Sequence, residues 1–361
     1  MTKQEKIDSF DPSQPGLADA SIYGLPFTAD ESEIIIIPVP WEVTVSYGAG
    51  SSKGPEAILE ASFQVDLHHQ DYPELWKLGM YLDMGEHQEK WLASSLKYKS
   101  MAQPIIQALE KGQIVESFPV LEQDLATINS ACRKLHDQVC ERTNYWLDRG
   151  KKVVLLGGDH STPLGYYEAM AQRHDSFGIL HLDAHMDLRI AYEGFTYSHA
   201  SIMYNALKLP QIERIVQVGI RDFCKEEVEV ARDPRVVVHT DSDLKADAYE
   251  GVTWRQQCEQ IISELPQKVL ISFDIDGLYP WYCPNTGTPV PGGFSFEQAA
   301  YLINKLSQSG KEIIGFDLVE VAPGIDDDWD GNVGARMLFH MCGALAANAG
   351  LETGSRLTFG K

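Results

Sequence analysis

Cysteine is thinly and irregularly spread through this chain of 361 residues: Cys132, Cys140, Cys224, Cys258, Cys283 and Cys342 include no Cys-x-x-Cys pair. That spacing excludes a thiolate zinc site or a disulfide frame and reads as the reduced thiols of a cytoplasmic protein. No apolar run approaches the ~18 residues that cross a bilayer, and the first residues hold no apolar core of signal-peptide type. Basic residues are also scarce, 30 Lys plus Arg against 52 Asp plus Glu, for a formal net charge of -22. Such a field repels nucleic acid and anionic membranes, so neither is expected as a partner. It suits divalent cations or a cationic substrate, and equally serves solubility. No repeat, low-complexity tract or linker divides the chain.

What is present is a regular alternation of strands and helices. Glu33 to Pro38 is a continuous β-branched run, and further strands are expected at 78–82, 152–156, 178–182, 214–219, 235–239, 268–273 and 312–317. Helical spacing marks 99–111, 121–149, 163–173, 199–207, 252–264, 296–308 and 331–347, with another start at Gly54-Pro55-Glu56. The pattern predicts an α/β fold, three layers with a central parallel sheet of about eight strands. Residues 1–30 are polar and Pro/Gly-punctuated and read as an N-terminal arm; 31–361 read as one α/β domain. Residues 68–120 carry the weakest pattern.

Three of the expected strands end in metal-ligand side chains. One runs into Gly157-Gly158-Asp159-His160, a second into Asp183-Ala184-His185-Met186-Asp187, a third into Asp274-Ile275-Asp276-Gly277. Open parallel sheets bind ligands at strand C-termini, and residues i and i+2 project to one side. Each piece alone has a plainer reading: a βα turn with a helix cap, a solvated loop, a strand-end turn. Together His160, Asp183, His185, Asp187, Asp274 and Asp276 are too many ligands for one ion and suit two divalent cations. The oxygen-rich set favours Mn²⁺-like ions, with Ni²⁺, Co²⁺ or Fe²⁺ also compatible with the imidazoles.

These three segments resemble the signatures of the ureohydrolases: arginase, agmatinase and their relatives. The likeness continues through Pro284 to Pro289, Gly292-Gly293 and Asp317 to Pro323, and Pro38 to Ile58 is similar to that family's first strand, loop and helix start. The resemblance implies an arginase-like fold, a homo-trimer or homo-hexamer, and two Mn²⁺ or Ni²⁺ ions. His160, Asp183, Asp187 and Asp274 would hold one ion; His185, Asp183, Asp274 and Asp276 would hold the other. It further implies that His199 shuttles protons and that Glu320 grips a guanidinium. A water shared by two cations has a pKa far below ~15.7, so hydroxide is available to attack the guanidinium carbon. Asp187 or Asp276 would pass the proton on, and urea and an amine would leave.

The substrate is less legible. Arginases follow their second signature with polar residues that bind the amino-acid end, and this chain has Leu188-Arg189-Ile190 there. Trp41, Thr44, Arg189, Tyr279 and Trp281 are expected to line the pocket, although the aromatics would serve equally to pack loops or a subunit contact. The stretch Trp41 to Tyr47 resembles agmatinase-like relatives that hydrolyse free guanidine with nickel. Free guanidine or a small ω-guanidino compound, such as agmatine or guanidinobutyrate, is therefore expected. Arg189 keeps a formimidoylglutamase-type reaction open. Two other classes compete: a haloacid-dehalogenase-like phosphatase with Asp274 as nucleophile, and a non-catalytic binding relative.

Overall fold

Four consecutive isoleucines divide between two cores. Ile34 and Ile36 join one buried cluster, Ile35 and Ile37 the other, so this strand is apolar on both faces. The computed structural model describes residues 1–14, 16, 20–325 and 327–359. Its strands are β1 (Ile34–Val39), β2 (Met80–Leu82), β3 (Lys152–Gly157), β4 (Phe177–Leu182), β5 (Ile212–Ile220), β6 (Val236–Thr240), β7 (Lys268–Asp274) and β8 (Glu312–Val319). They form one eight-stranded sheet in the order β2-β1-β3-β8-β7-β4-β5-β6. Every neighbouring pair is parallel.

Helices cover both faces. Gly54–Ser62, Trp254–Ser263, Phe296–Ser307 and Trp329–Asn348 send Ile58, Ile261, Leu302 and Leu338 into the first core. Glu86–Glu110, Pro119–Leu147 and Leu164–Ala171 send Ile105, Leu135 and Tyr167 into the second. The fold is the three-layer α/β/α arrangement. No helix among the described residues is long and apolar enough to cross a membrane. The six cysteines are free.

Several departures from the sequence expectation fall where burial is sparse, two others in well-buried segments. The helix expected from 99 starts at Glu86; its first part, up to Lys99, buries only Trp91 and Ser95 and so carries no apolar stripe to read. Helices Lys225–Val230 and Asp241–Tyr249 were not foreseen; they bury only Glu227, and Asp241 with Leu244. The segment expected as helix 199–207 divides into a 3₁₀ turn, His199–Ser201, and a short helix, Ile202–Ala206. Within residues 1–30, read as an arm, Ile22, Tyr23, Leu25 and Phe27 lie in the first core.

Candidate metal centre

Register sets the site. Leu156 pairs with Leu318, Leu318 with Phe273, and Phe273 with Leu182, so four adjacent strands end level. Asp274, the last residue of β7, and the residues just past the other three ends, His160, Asp183 and Glu320, therefore emerge along one edge of the sheet, on its central strands.

Two groups of ligand atoms form there. In the first, the His160 Nδ1 lies 3.1 Å from Asp183 Oδ2, 3.1 Å from Asp187 Oδ2 and 3.2 Å from Asp274 Oδ2. In the second, the His185 Nδ1 lies 3.1 Å from Asp276 Oδ2 and 3.5 Å from Asp183 Oδ1. Asp183 thus turns one oxygen to each group. Asp274 contributes Oδ2 to the first, while its Oδ1 accepts the Asp276 N–H at 2.9 Å. Three carboxylate oxygens converge on the His160 Nδ1, yet that buried nitrogen has no hydrogen-bond partner of acceptable geometry. One proton cannot serve three acceptors, whereas a divalent cation with oxygen and imidazole ligands can. The donor set fits two such ions.

Protonation tells the same story. Burial raises the Asp274 carboxyl well above its ordinary range, with Asp276 and Asp183 adding repulsion. Burial, then Asp183, lifts Asp187 to about 7. Burial alone would lower His185, but Asp276 and Asp183 outweigh it and push the imidazole up to about 12. So much negative charge in a buried space calls for positive charge, and cations would enter by displacing protons.

A layer of polar side chains orients the ligands. His160 Nε2 sits 2.9 Å from Ser272 Oγ, and Ser272 Oγ donates to Asp317 Oδ1 at 2.9 Å. Because that hydroxyl spends its proton on Asp317, the His160 Nε2 carries the hydrogen and leaves Nδ1 facing the carboxylates. Tyr167 closes the network on Asp317 Oδ2 at 2.9 Å. On the other side, His181 Nε2 meets Asp183 Oδ2 at 2.8 Å, and Gln217 Nε2 donates to His181 Nδ1 at 2.9 Å. His181 belongs by proximity to the first ligand group. Its Nε2–H is already spent on Asp183, so it acts as a donor to a ligand. Sequence reasoning missed His181, Ser272, Gln217 and Tyr167. His181 and Ser272 left a trace there, each two residues before a ligand, Asp183 and Asp274, along its strand.

The ligands open onto a cavity of about 210 Å³ whose wall includes His160, His185, Asp187, His199, Asp274 and Glu320. Glu320 Oε1 accepts the His160 N–H at 2.8 Å. Burial pushes its carboxyl well above the usual range, with Asp274 and Asp159 adding to the effect. His199 is half-buried, and burial followed by the charges of His185 and His160 brings it down to about 4. Asp187 and Glu320 hold φ of 53° and 63°. Left-handed backbone at a non-glycine residue is strained and clusters at functional sites, and here it occurs at two of the candidates.

Of the residues expected around a substrate, Arg189 is on the cavity wall. Trp41, Thr44, Tyr279 and Trp281 are elsewhere, which corrects that expectation. Trp41 is buried in the second core with its ring packed towards Tyr98, and its backbone occupies the space a Gly158 side chain would need. Thr44 is buried too. Tyr279 and Trp281 stack on each other at 4.3 Å, with Trp281 63% exposed. The wall is made instead by Val45, Ser46, Tyr47, Tyr192, Phe223 and Thr288, among others.

The fold and site define an α/β protein whose central strand ends gather carboxylate and imidazole side chains of metal-ligand type. Residues 32–343 match the model of the Arginase family, and the chain belongs to that family. It is 30% identical over 294 residues to an N(1)-aminopropylagmatine ureohydrolase of Synechocystis, covering 81% of this chain and 82% of the relative. An agmatinase of Bacillus anthracis is 30% identical over 298 residues, covering 82% of this chain and 86% of its own. Among solved structures, the agmatine ureohydrolase of Thermoplasma volcanium superposes with a TM-score of 0.67 at 24% identity, over 95% of this chain and 97% of that one. The chain is accordingly a ureohydrolase-type enzyme, a hydrolase of C–N bonds in amidino groups. The phosphatase and non-catalytic readings are set aside with it.

Proposed function

We propose that the chain hydrolyses a small guanidino substrate at its guanidinium carbon, releasing urea and an amine or ammonia. The observation that carries this reading is the buried Glu320 carboxylate, on the same cavity wall as His160, Asp187 and Asp274. His160, Asp183, Asp187 and Asp274 would hold one ion, and Asp183, His185, Asp274 and Asp276 the other. Bound there, two divalent ions (Mn²⁺ or Ni²⁺) would supply a water of lowered pKa and offset the carboxylate charge.

The chain's own residues do the rest. Glu320 accepts paired N–H bonds from the planar guanidinium and sets its carbon over the ligand cluster. The His160 N–H on Oε1 fixes the orientation of that carboxylate. Asp187 or Asp276 takes the proton that the attacking water gives up. His199, at the half-open wall with its ring edge-on to Tyr192, exchanges that proton with solvent and returns it to the leaving nitrogen.

The preferred substrate is free guanidine or a short ω-guanidino compound such as agmatine or guanidinobutyrate. A cavity of about 210 Å³ has room for a guanidinium beside Glu320. Arg189 on its wall favours, as a second reading, a carboxylate-bearing substrate of formimidoylglutamate type. A cytoplasmic homo-trimer or homo-hexamer completes the proposal, to be checked by light scattering. The decisive assay loads the protein with Mn²⁺ or Ni²⁺ and follows urea and ammonia from guanidine, agmatine, guanidinobutyrate, arginine and formiminoglutamate. Turnover of a guanidino compound is expected. Inactivity across the panel overturns the reading, and turnover of formiminoglutamate alone selects the second.

A further inference from the structure

Part of the cavity wall is an irregular loop with few ties of its own. Val45, Ser46 and Tyr47 line the cavity, but no helix or strand contains them. Among the described residues, the backbone between 43 and 49 makes one hydrogen bond to the rest of the fold, from Gly48 N to Gly287 O at 3.2 Å. That contact is close: a side chain on Gly48 would meet the Gly287 carbonyl oxygen at 2.4 Å. Gly287 and Thr288 also line the cavity, and Thr286 Oγ1 donates to the Glu320 carbonyl at 2.8 Å. The loop thus touches the segment that is tied to Glu320.

The ends of this loop meet on one carboxylate. Glu42 Oε2 accepts the Gly50 N–H at 2.6 Å and the Ser52 N–H at 3.0 Å, closing the loop across its base. Gly50 has a φ of 139°, which only glycine adopts readily. The other oxygen, Oε1, is paired with Lys99 on the outer helix Glu86–Glu110, and the Glu42 N–H is accepted by Ser95 Oγ at 2.9 Å. Glu42 is only 4% exposed. A carboxylate is not buried cheaply, and this one is held in place by a cation behind and two amides in front.

We propose that Glu42 is a positioning residue for substrate binding: its carboxylate clamps the loop 43–50 to the Lys99 helix and so sets the wall facing the Glu320 site. The inference rests on the guanidino reading for the identity of the substrate, but the clamp itself is physical and can be read without any substrate. The test uses Glu42→Gln and Lys99→Met in the full chain. Peptide-level amide hydrogen exchange over residues 43–52 is followed, with metal content and steady-state kinetics on the best panel substrate. Losing a charge-assisted bond should speed exchange of this segment about ten- to a hundred-fold. KM should rise several-fold, while kcat and bound metal stay within about two-fold. Unchanged exchange in a folded variant overturns the clamp; faster exchange with unchanged KM overturns the positioning role. Should Glu42→Gln not fold, Lys99→Met carries the test in the same direction, because a buried carboxylate without its cation takes up a proton and accepts more weakly. A parent enzyme inactive on every guanidino compound would refute the functional proposal, and the exchange result would still judge the clamp.

Discussion

Replacing His181 by leucine removes a donor to Asp183 while keeping a side chain of similar volume in β4. Asp183 is the carboxylate that turns one oxygen to each ligand group, and it is fully buried. Its Oδ2 has two near partners, His181 Nε2 at 2.8 Å and His160 Nδ1 at 3.1 Å. Burial alone would raise this carboxyl, but His181 and His160 outweigh it and hold it well below the usual range. In His181→Leu the charged form loses a bond of the charge-assisted kind, about 1.5–3 kcal/mol. Gln217 Nε2 keeps its 2.6 Å bond to the Met186 carbonyl but loses its second acceptor, a buried donor left unpaired at about 1–3 kcal/mol of fold stability, which a melt of the metal-free protein reads separately. At about 1.4 kcal/mol per decade, metal binding should weaken roughly 10- to 100-fold, the usual range for a residue that supports a ligand. Competition with a chelator of known affinity measures it, with thermal melts at graded Mn²⁺ or Ni²⁺ as a second readout. A folded His181→Leu protein with parental metal affinity would refute the argument.

Three shorter predictions follow from the same geometry. His185→Asn should lose one ion and most activity; elemental analysis showing full metal content with near-normal turnover would sink the ligand assignment. Gly158→Ala should destabilise by about 3 kcal/mol or more in urea unfolding, because its new carbon would sit 2.1 Å from the Trp41 carbonyl oxygen, a backbone atom with nowhere to go. The third concerns acid. His136 is buried with neither ring nitrogen hydrogen-bonded, and burial, then Arg133, brings it down to about 3. The unfolded chain, with a pKa near ~6.5, then binds the extra proton, so this contribution is intact above that pH and is lost as pH falls towards 3. His136→Met should therefore be more stable than the parent by roughly 2–3 kcal/mol at pH 4.5 beyond any difference at pH 7. Urea midpoints that differ equally at both pH values would refute it.

The parts of the fold that were legible are those where one residue's environment is dictated by its immediate neighbours. Both-face burial forces apolar runs, so all eight strands could be read, Ile34 to Ile37 most plainly. Helices that bury little, such as Lys225–Val230, left no stripe to find. The aromatics were misjudged for a related reason. Composition says that Trp41 or Trp281 is large and apolar, and only the surrounding backbone decides that one is walled in beside Gly158 and the other stacked outside the cavity on Tyr279.

Sequence alone determined the chemistry available: the six candidate ligands sit in short motifs at or just after strand ends, but only Asp274 lies in a strand and Asp276 falls in the 3₁₀ turn Ile275–Gly277, so the strand's two-residue period does not set their geometry. The tertiary structure decided which atoms meet. Parallel register levels β3, β8, β7 and β4 and brings His160 to Asp274 across 114 residues of chain. Packing placed His181 behind Asp183, Ser272 behind His160, and Glu42 beneath the loop that carries Tyr47. The Ser272–His160 pair joins segments 112 residues apart, which no local pattern encodes, whereas His181–Asp183 and Glu42–Gly50 are close in the chain and owe their roles to what the rest of the fold packs against them.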